Sequence, residues 1–282
     1  MSNTDLVITT RGKIPGGAKN EIVNTFKDCY RKFGSRSPYK VEILITETEG
    51  IRRDSLREEQ SRLGRTTIED VDEVCSHHTW SGHITINVSV ERLGEFSKLA
   101  RQGALRHEAA HSTLHGSLEY NIFRIPDDCR QMASVKGINP DVLEQVIRNL
   151  SSAIKECEVS KFLISHDFID CQAAFILEWL QPPQDNNALR SAKMDRQARF
   201  THLTSLLKPI LLADPLLALP KTKKISLERQ VLLGRKIEEM IEHLTEYEQN
   251  KILQVASSIS SGINGDTHSN VDSALHQAIT LA

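Results

Sequence analysis

Two hydrophobic patterns meet in residues 82–115, and together they constrain the fold more than any other part of the chain. From Gly82 to Glu91, Ile84, Ile86, Val88 and Val90 alternate strictly with His83, Thr85, Asn87 and Ser89. Period-two alternation predicts a strand with one apolar and one polar face. Directly afterwards Phe96, Leu99, Ala100, Ala104, Leu105, Ala109 and Leu114 recur at helical spacing. They predict a helix over 94–115, with Gly116 stopping it. The strand reads either as an ordinary half-buried strand or as a sheet edge where an extended peptide can add main-chain hydrogen bonds.

The predicted helix carries His107-Glu108-Ala109-Ala110-His111. Residues four apart lie one above the other on a helical face, so both imidazoles can aim at one point. Two neutral imidazoles suit Zn²⁺, with Zn–N bonds of about 2.0–2.1 Å. Glu108 lies about 100° further round the helix. There it can flank the metal and take a proton from a bound water without ligating. His115 continues the four-residue series, but a third turn of one straight helix can hardly reach the same point. It reads better as a polar residue at a helix end, favourable to the dipole.

A third ligand is sought further on. Asn139-Pro140-Asp141 opens a strong helix, with Asn139 as N-cap and Pro140 at N1. Its apolar stripe runs Leu143, Val146, Ile147, Leu150, Ile154 and on to Phe162. Glu158 is four residues from both Ile154 and Phe162 and falls on that stripe. A carboxylate there is costly unless paired or bound to metal. Glu156 points about 160° away and is expected to stay wet. The pattern therefore favours Glu158 over Glu156 as the ligand, with a buried salt bridge to Arg106 or Lys161 as the plainer alternative.

Elsewhere, residues 5–10 suggest a short strand and 39–46 a second one, with Val41, Ile43 and Ile45 alternating. Ile22, Phe26, Cys29, Tyr30 and Phe33 mark an amphipathic helix over 18–33 that ends at Gly34. Residues 51–63 are highly charged and read either as a helix or, the favoured reading, as a solvated connecting face; 64–81 read as a loop and 120–132 as a connection. A second helix is expected over 165–180. Residues 181–187, Gln-Pro-Pro-Gln-Asp-Asn-Asn, are the best boundary. They separate a domain at 1–180 from a helical subdomain at 188–282. Long amphipathic segments are expected over 188–213 and 226–258, with a solvated turn at Lys221, Lys223 and Lys224. A Ser/Gly-rich loop over 257–270 and a terminal helix over 271–282 complete the chain. The fold class is thus α+β: a small mixed sheet with an edge strand beside the motif helix, then a mainly helical C-terminal part.

A formal net charge of −2 gives no electrostatic case for nucleic acid. No run approaches the length of a membrane span, and the polar start of the chain lacks the apolar core of a signal peptide. Five cysteines without a C-x-x-C pair are expected to stay reduced, in a cytoplasmic setting.

The strand at 84–90, the helix bearing His107-Glu108-x-x-His111 and a later helix with an inward Glu resemble the thermolysin-like gluzincin metallopeptidases, in the compact form used by small prokaryotic zinc peptidases. The resemblance spans residues 39–165. It implies that His107, His111 and Glu158 hold Zn²⁺, that Glu108 is the general base, and that the substrate is a peptide or protein. Two departures stand out. The gap from His111 to Glu158 is longer than thermolysin's. Where the family often places an acid four residues after the Glu ligand, to orient a zinc-bound His, this chain has Phe162. Asp127, Asp128, Glu156 or Asp167 would have to serve instead. The metzincin pattern fails, with Ser117 at the third His position and Leu114 at the expected Gly. Tyr120, His166 and His202 are open choices for an oxyanion donor. The competing reading is a catalytically silent metallopeptidase-like scaffold acting as a protein-interaction or regulatory module.

Overall fold

The computed structural model describes residues 4–64, 74–180, 195–220 and 226–282. The expected boundary at 181–187 and the Lys221–Lys224 turn lie outside the described residues, as does half of the expected loop at 64–81, residues 65–73. Two compact units are present, one of Met1–Leu118 with Ser165–Phe175, the other of Glu119–Ile164 with Ile176–Ala282. The fold is α+β.

The first unit is built on a four-stranded mixed sheet. Strand β1 (Asp5–Arg11) leads into helix α1 (Gly16–Phe33), and β2 (Lys40–Thr46) pairs parallel with β1. Helix α1 buries the expected stripe of Ile22, Phe26, Cys29, Tyr30 and Phe33, and Gly34 at φ 64° turns the chain out of it. Helix α2 (Glu49–Arg62) covers part of the sheet, packing against β2. It is more than the solvated face that its charges suggest, because Arg52 is fully buried. The Arg52 guanidinium bonds both oxygens of Glu49, at 2.6 and 2.7 Å, and reaches Ser76 Oγ at 3.3 Å. A buried charge is tolerated when paired and hydrogen-bonded in this way.

Strand β3 (Cys75–His78) and strand β4 (Thr85–Ser89) complete the sheet in the order β1-β2-β4-β3. β4 runs parallel to β2 and antiparallel to β3. This corrects the edge assignment: β4 is internal, and the strand at this edge of the sheet is β3, inside the stretch expected as a loop. It also explains why Asn87 and Ser89, on the predicted polar face of β4, are buried. Ser89 Oγ accepts from Arg92 N and caps the short helix α3 (Val90–Gly94).

Ser97 Oγ accepts from Ala100 N and starts helix α4 (Lys98–Leu114), so the motif helix begins later than its apolar pattern implies. α4 packs against α1 and against β3, and Tyr30 Oη and Ser112 Oγ lie 2.8 Å apart across the α1–α4 contact. Gly116 follows the helix, but its role is space: a Cβ there would lie 2.6 Å from Ile84 Cδ1. Gly103 is tighter still. A Cβ on it would meet the Cys171 carbonyl oxygen at 2.1 Å and Phe175 Cβ at 2.7 Å. Glycine is what lets the segment 165–175 lie against α4.

The second unit is helical. Helix α5 (Asp127–Val135) occupies part of the expected connection, and α6 (Pro140–Ser165) follows. Asn139 Oδ1 accepts from Asp141 N, the predicted cap. Helix α7 (Ile169–Trp179) begins in the first unit and ends in the second. Beyond it lie α8 (Arg196–Ser205), α9 (Leu207–Leu217), α10 (Leu227–Ile241), α11 (Glu246–Gly262) and α12 (Thr267–Ala278). Pro215 sits inside α9 instead of ending it. Thr245 and Glu248 form a capping box that divides the expected 226–258 segment into α10 and α11. The Ser-rich residues 257–262, expected as loop, are the last turns of α11, and Asp266 caps α12. No helix among the described residues is long and apolar enough to cross a membrane.

Candidate metal centre

Helix geometry brings the two motif histidines together as their spacing requires. His107 Nε2 and His111 Nε2 are 3.0 Å apart, and both side chains are buried. Each ring is held from its other nitrogen. Gln172, on α7, places its side-chain amide 3.1 Å from His107 Nδ1. His115 Nδ1 lies 3.3 Å from His111 Nδ1. His115 is thus behind the pair, turned to the far nitrogen of His111, consistent with its exclusion as a ligand. The amide atom nearest His107 is Gln172 Nε2; with the carboxamide turned over, its oxygen accepts from an Nδ1–H and the Nε2 lone pair of His107 is directed at His111. Phe175 packs on the His107 ring with centroids 5.3 Å apart.

Glu108 is buried one residue along the same helix. Its Oε2 lies 3.2 Å from Nδ1 of His77, on β3. The His77 ring also stacks on His111, with centroids 4.8 Å apart and planes 17° from parallel. One strand therefore supplies a side chain that touches both Glu108 and His111. Position along β3 is fixed by its register with β4, His77 opposite Ile86, and by the Arg52 bond to Ser76.

The acids of α6 are placed differently from the expectation. Glu156 is buried, whereas Glu158 is only half-buried. Glu158 Oε1 accepts from Asn270 Nδ2 at 2.6 Å and Oε2 from Thr267 Oγ1 at 2.9 Å, both on α12. Glu156 Oε1 is 3.3 Å from Lys208 Nζ, on α9. The stripe argument failed because α6 buries residues all round its later turns, including Ser151, Ala153, Cys157, Val159, Ser160 and Leu163. A helix covered on every side has no single core face from which to choose between two acids. The suggested salt-bridge partners are engaged elsewhere: Arg106 Nη1 reaches Cys171 Sγ at 3.0 Å, and Lys161 donates to the Ser260 carbonyl.

The Tyr120 ring stacks on His268, and His166 bonds Ser165 Oγ and meets Phe33 edge-on. His202 Nε2 faces His243 Nε2 at 2.8 Å. Asp128 pairs with His276, and Asp167 is the left-handed residue (φ 60°) before α7. Beside His107 Nδ1 stands Gln172, which the sequence pattern overlooked. A signal existed: Gln172 lies three residues after Ile169 and four before Ile176, a fully buried polar residue on an apolar stripe.

Among the described residues, His107 and His111 in the first unit, and Asp128, Cys129 and His276 in the second, have the donor types to hold a metal ion. All five cysteines are buried and free. No protein-family profile, curated protein or solved structure matches the chain.

Proposed function

We propose that the chain is a zinc-dependent metallopeptidase, with His107 and His111 as ligands and Glu108 as general base. The observation that carries this reading is the buried pair of Nε2 atoms 3.0 Å apart, each ring held from behind, with a buried carboxylate on the next residue. With each ring keeping its proton on Nδ1, both Nε2 lone pairs face one point, and a cation answers both.

Zinc, when bound, would supply Lewis acidity, bringing the pKa of a water toward about 7 and polarising a carbonyl. Glu108 accepts the proton of the attacking water and returns it to the leaving amine. The His77 Nδ1–H donates to Glu108 Oε2, fixing the carboxylate so that its second oxygen faces the reacting water. Gln172 and His115 hold the ligand rings in orientation.

The test has two stages on the purified full chain. Metal analysis should find zinc that is lost on His111→Ala. Glu108→Gln should keep that zinc and abolish cleavage of a peptide library, cleavage that a chelator also stops in the wild type. Zinc content of Glu156→Ala and of Glu158→Ala identifies which acid supplies the third ligand. Zinc bound at His107 and His111 without cleavage of any peptide would favour the silent scaffold, and full activity of the Gln variant would overturn the mechanism.

A further inference from the structure

The second donor group lies wholly in the helical unit and takes no part in the site above. Asp128 and Cys129 stand at the start of α5, and His276 comes from α12. Their donor atoms lie within 4.8 Å of one another. His276 Nε2 is 2.7 Å from Asp128 Oδ2, and its Nδ1 is 3.3 Å from Cys129 Sγ and 2.9 Å from the Asp272 carbonyl oxygen. Asp128 and His276 are reached by solvent, while Cys129 closes the inner side at 0% exposure.

We infer that Asp128, Cys129 and His276 form a second transition-metal site, one that takes Zn²⁺. The donor set of one thiolate, one imidazole and one carboxylate is the mixture zinc accepts, and softer than calcium or magnesium would choose. Zinc bonds of about 2.0–2.3 Å in a tetrahedron put donors about 3.5 Å apart. In the structure Nε2 of His276 faces Asp128 and Nδ1 faces Cys129, so binding exchanges one of these hydrogen-bond contacts for coordination.

Binding releases the thiol proton and leaves the imidazole with a single proton, so the ion enters in exchange for protons passed to solvent. Asp127 and Asp272 also line a cleft of about 650 Å³, together with Phe123, Arg124, Arg130 and Glu144, which gives solvent a route to the same two helices.

The two sites differ in one measurable way: only this one has a sulfur donor. Cobalt(II) added to the metal-free full chain should give a thiolate-to-cobalt charge-transfer band in the near ultraviolet. The band should survive in the His107→Ala/His111→Ala double variant and vanish in Cys129→Ser. His276→Gln, at a partly exposed position, should also remove it and guards against misfolding of the cysteine variant. Zinc stoichiometry should fall by one per chain in each of the two latter variants. A wild-type protein with no such band, or zinc content unchanged by both Cys129→Ser and His276→Gln, would overturn the inference. Failure of the peptidase site instead leaves one zinc per chain, bound through Cys129.

Discussion

His77 Nδ1 lies 3.2 Å from Glu108 Oε2 while the same ring stacks on His111. One side chain from β3 therefore restrains two functional groups of α4 by different means. Substitution can separate them. His77→Phe keeps an aromatic ring against His111 and removes the hydrogen bond to Glu108. If Glu108 is the base, kcat is expected to fall about tenfold, the worth of one hydrogen bond near 1.4 kcal/mol. Zinc content should stay unchanged. Steady-state kinetics alongside metal analysis check this. Equal loss of zinc and activity would mean that His77 acts through His111 alone.

Gln172 sets the orientation of His107 from a different helix. Gln172→Leu removes the partner of His107 Nδ1 and frees the ring to turn. Zinc affinity is expected to drop about 10–100-fold, as for other outer partners of metal-bound histidines. Gln172→Glu supplies a carboxylate at the same reach and should restore affinity. Competition titration with a zinc chelator of known affinity measures both variants.

These two residues mark the limit of what could be read in the chain. Local patterns were legible: the α1 stripe from Ile22 to Phe33, the Asn139 cap, the strand around Ile86 and the i, i+4 pairing of His107 with His111. Each depends only on neighbours within a few residues. The order of strands is not local. Nothing in the 84–90 alternation tells that Cys75–His78 would add outside it, so the edge strand and His77 went unseen. Burial on α6 is decided by α9 and α12, and two acids on a helix surrounded on all sides cannot be ranked by a stripe. The Ser-rich end of α11 was misread because loop composition yields to packing, here of Ile259 and Ser260.

Gly103 converts a packing requirement into a stability prediction. In Gly103→Ala the new methyl would stand 2.1 Å from a backbone oxygen of Cys171, which has no rotamer to give way. The helices must separate, at an expected cost of at least about 3 kcal/mol. Gln172 adjoins Cys171, so zinc affinity should fall with stability. Gly234 in α10 is the contrast, since a Cβ there meets nothing within 4 Å. Gly234→Ala is expected to stabilise by about 0.5–1 kcal/mol through helix propensity. Urea unfolding of both variants should give shifts of opposite sign.

The His202–His243 pair gives the helical unit a defined acid sensitivity. Their Nε2 atoms are 2.8 Å apart, so one proton fits between them and a second brings two like charges together. Burial first, then His243 and Arg199, push the His202 pKa down to about 4. The unfolded chain has the ordinary value near 6.5. It therefore binds the proton first as pH falls, and the folded state loses stability between about 6.5 and 4. The loss is on the order of 2–3 kcal/mol. Glu248 extends the effect to lower pH. Hydrogen bonds from Arg199 hold its carboxyl down to about 2, against burial. That contribution is complete above about 4.5 and disappears as pH falls toward 2. His202→Gln removes the first component only. Unfolding free energy measured at pH 7, 5.5 and 4.5 should fall less steeply in the variant than in the wild type. Parallel profiles across that range would show that the pair does not carry the proton linkage.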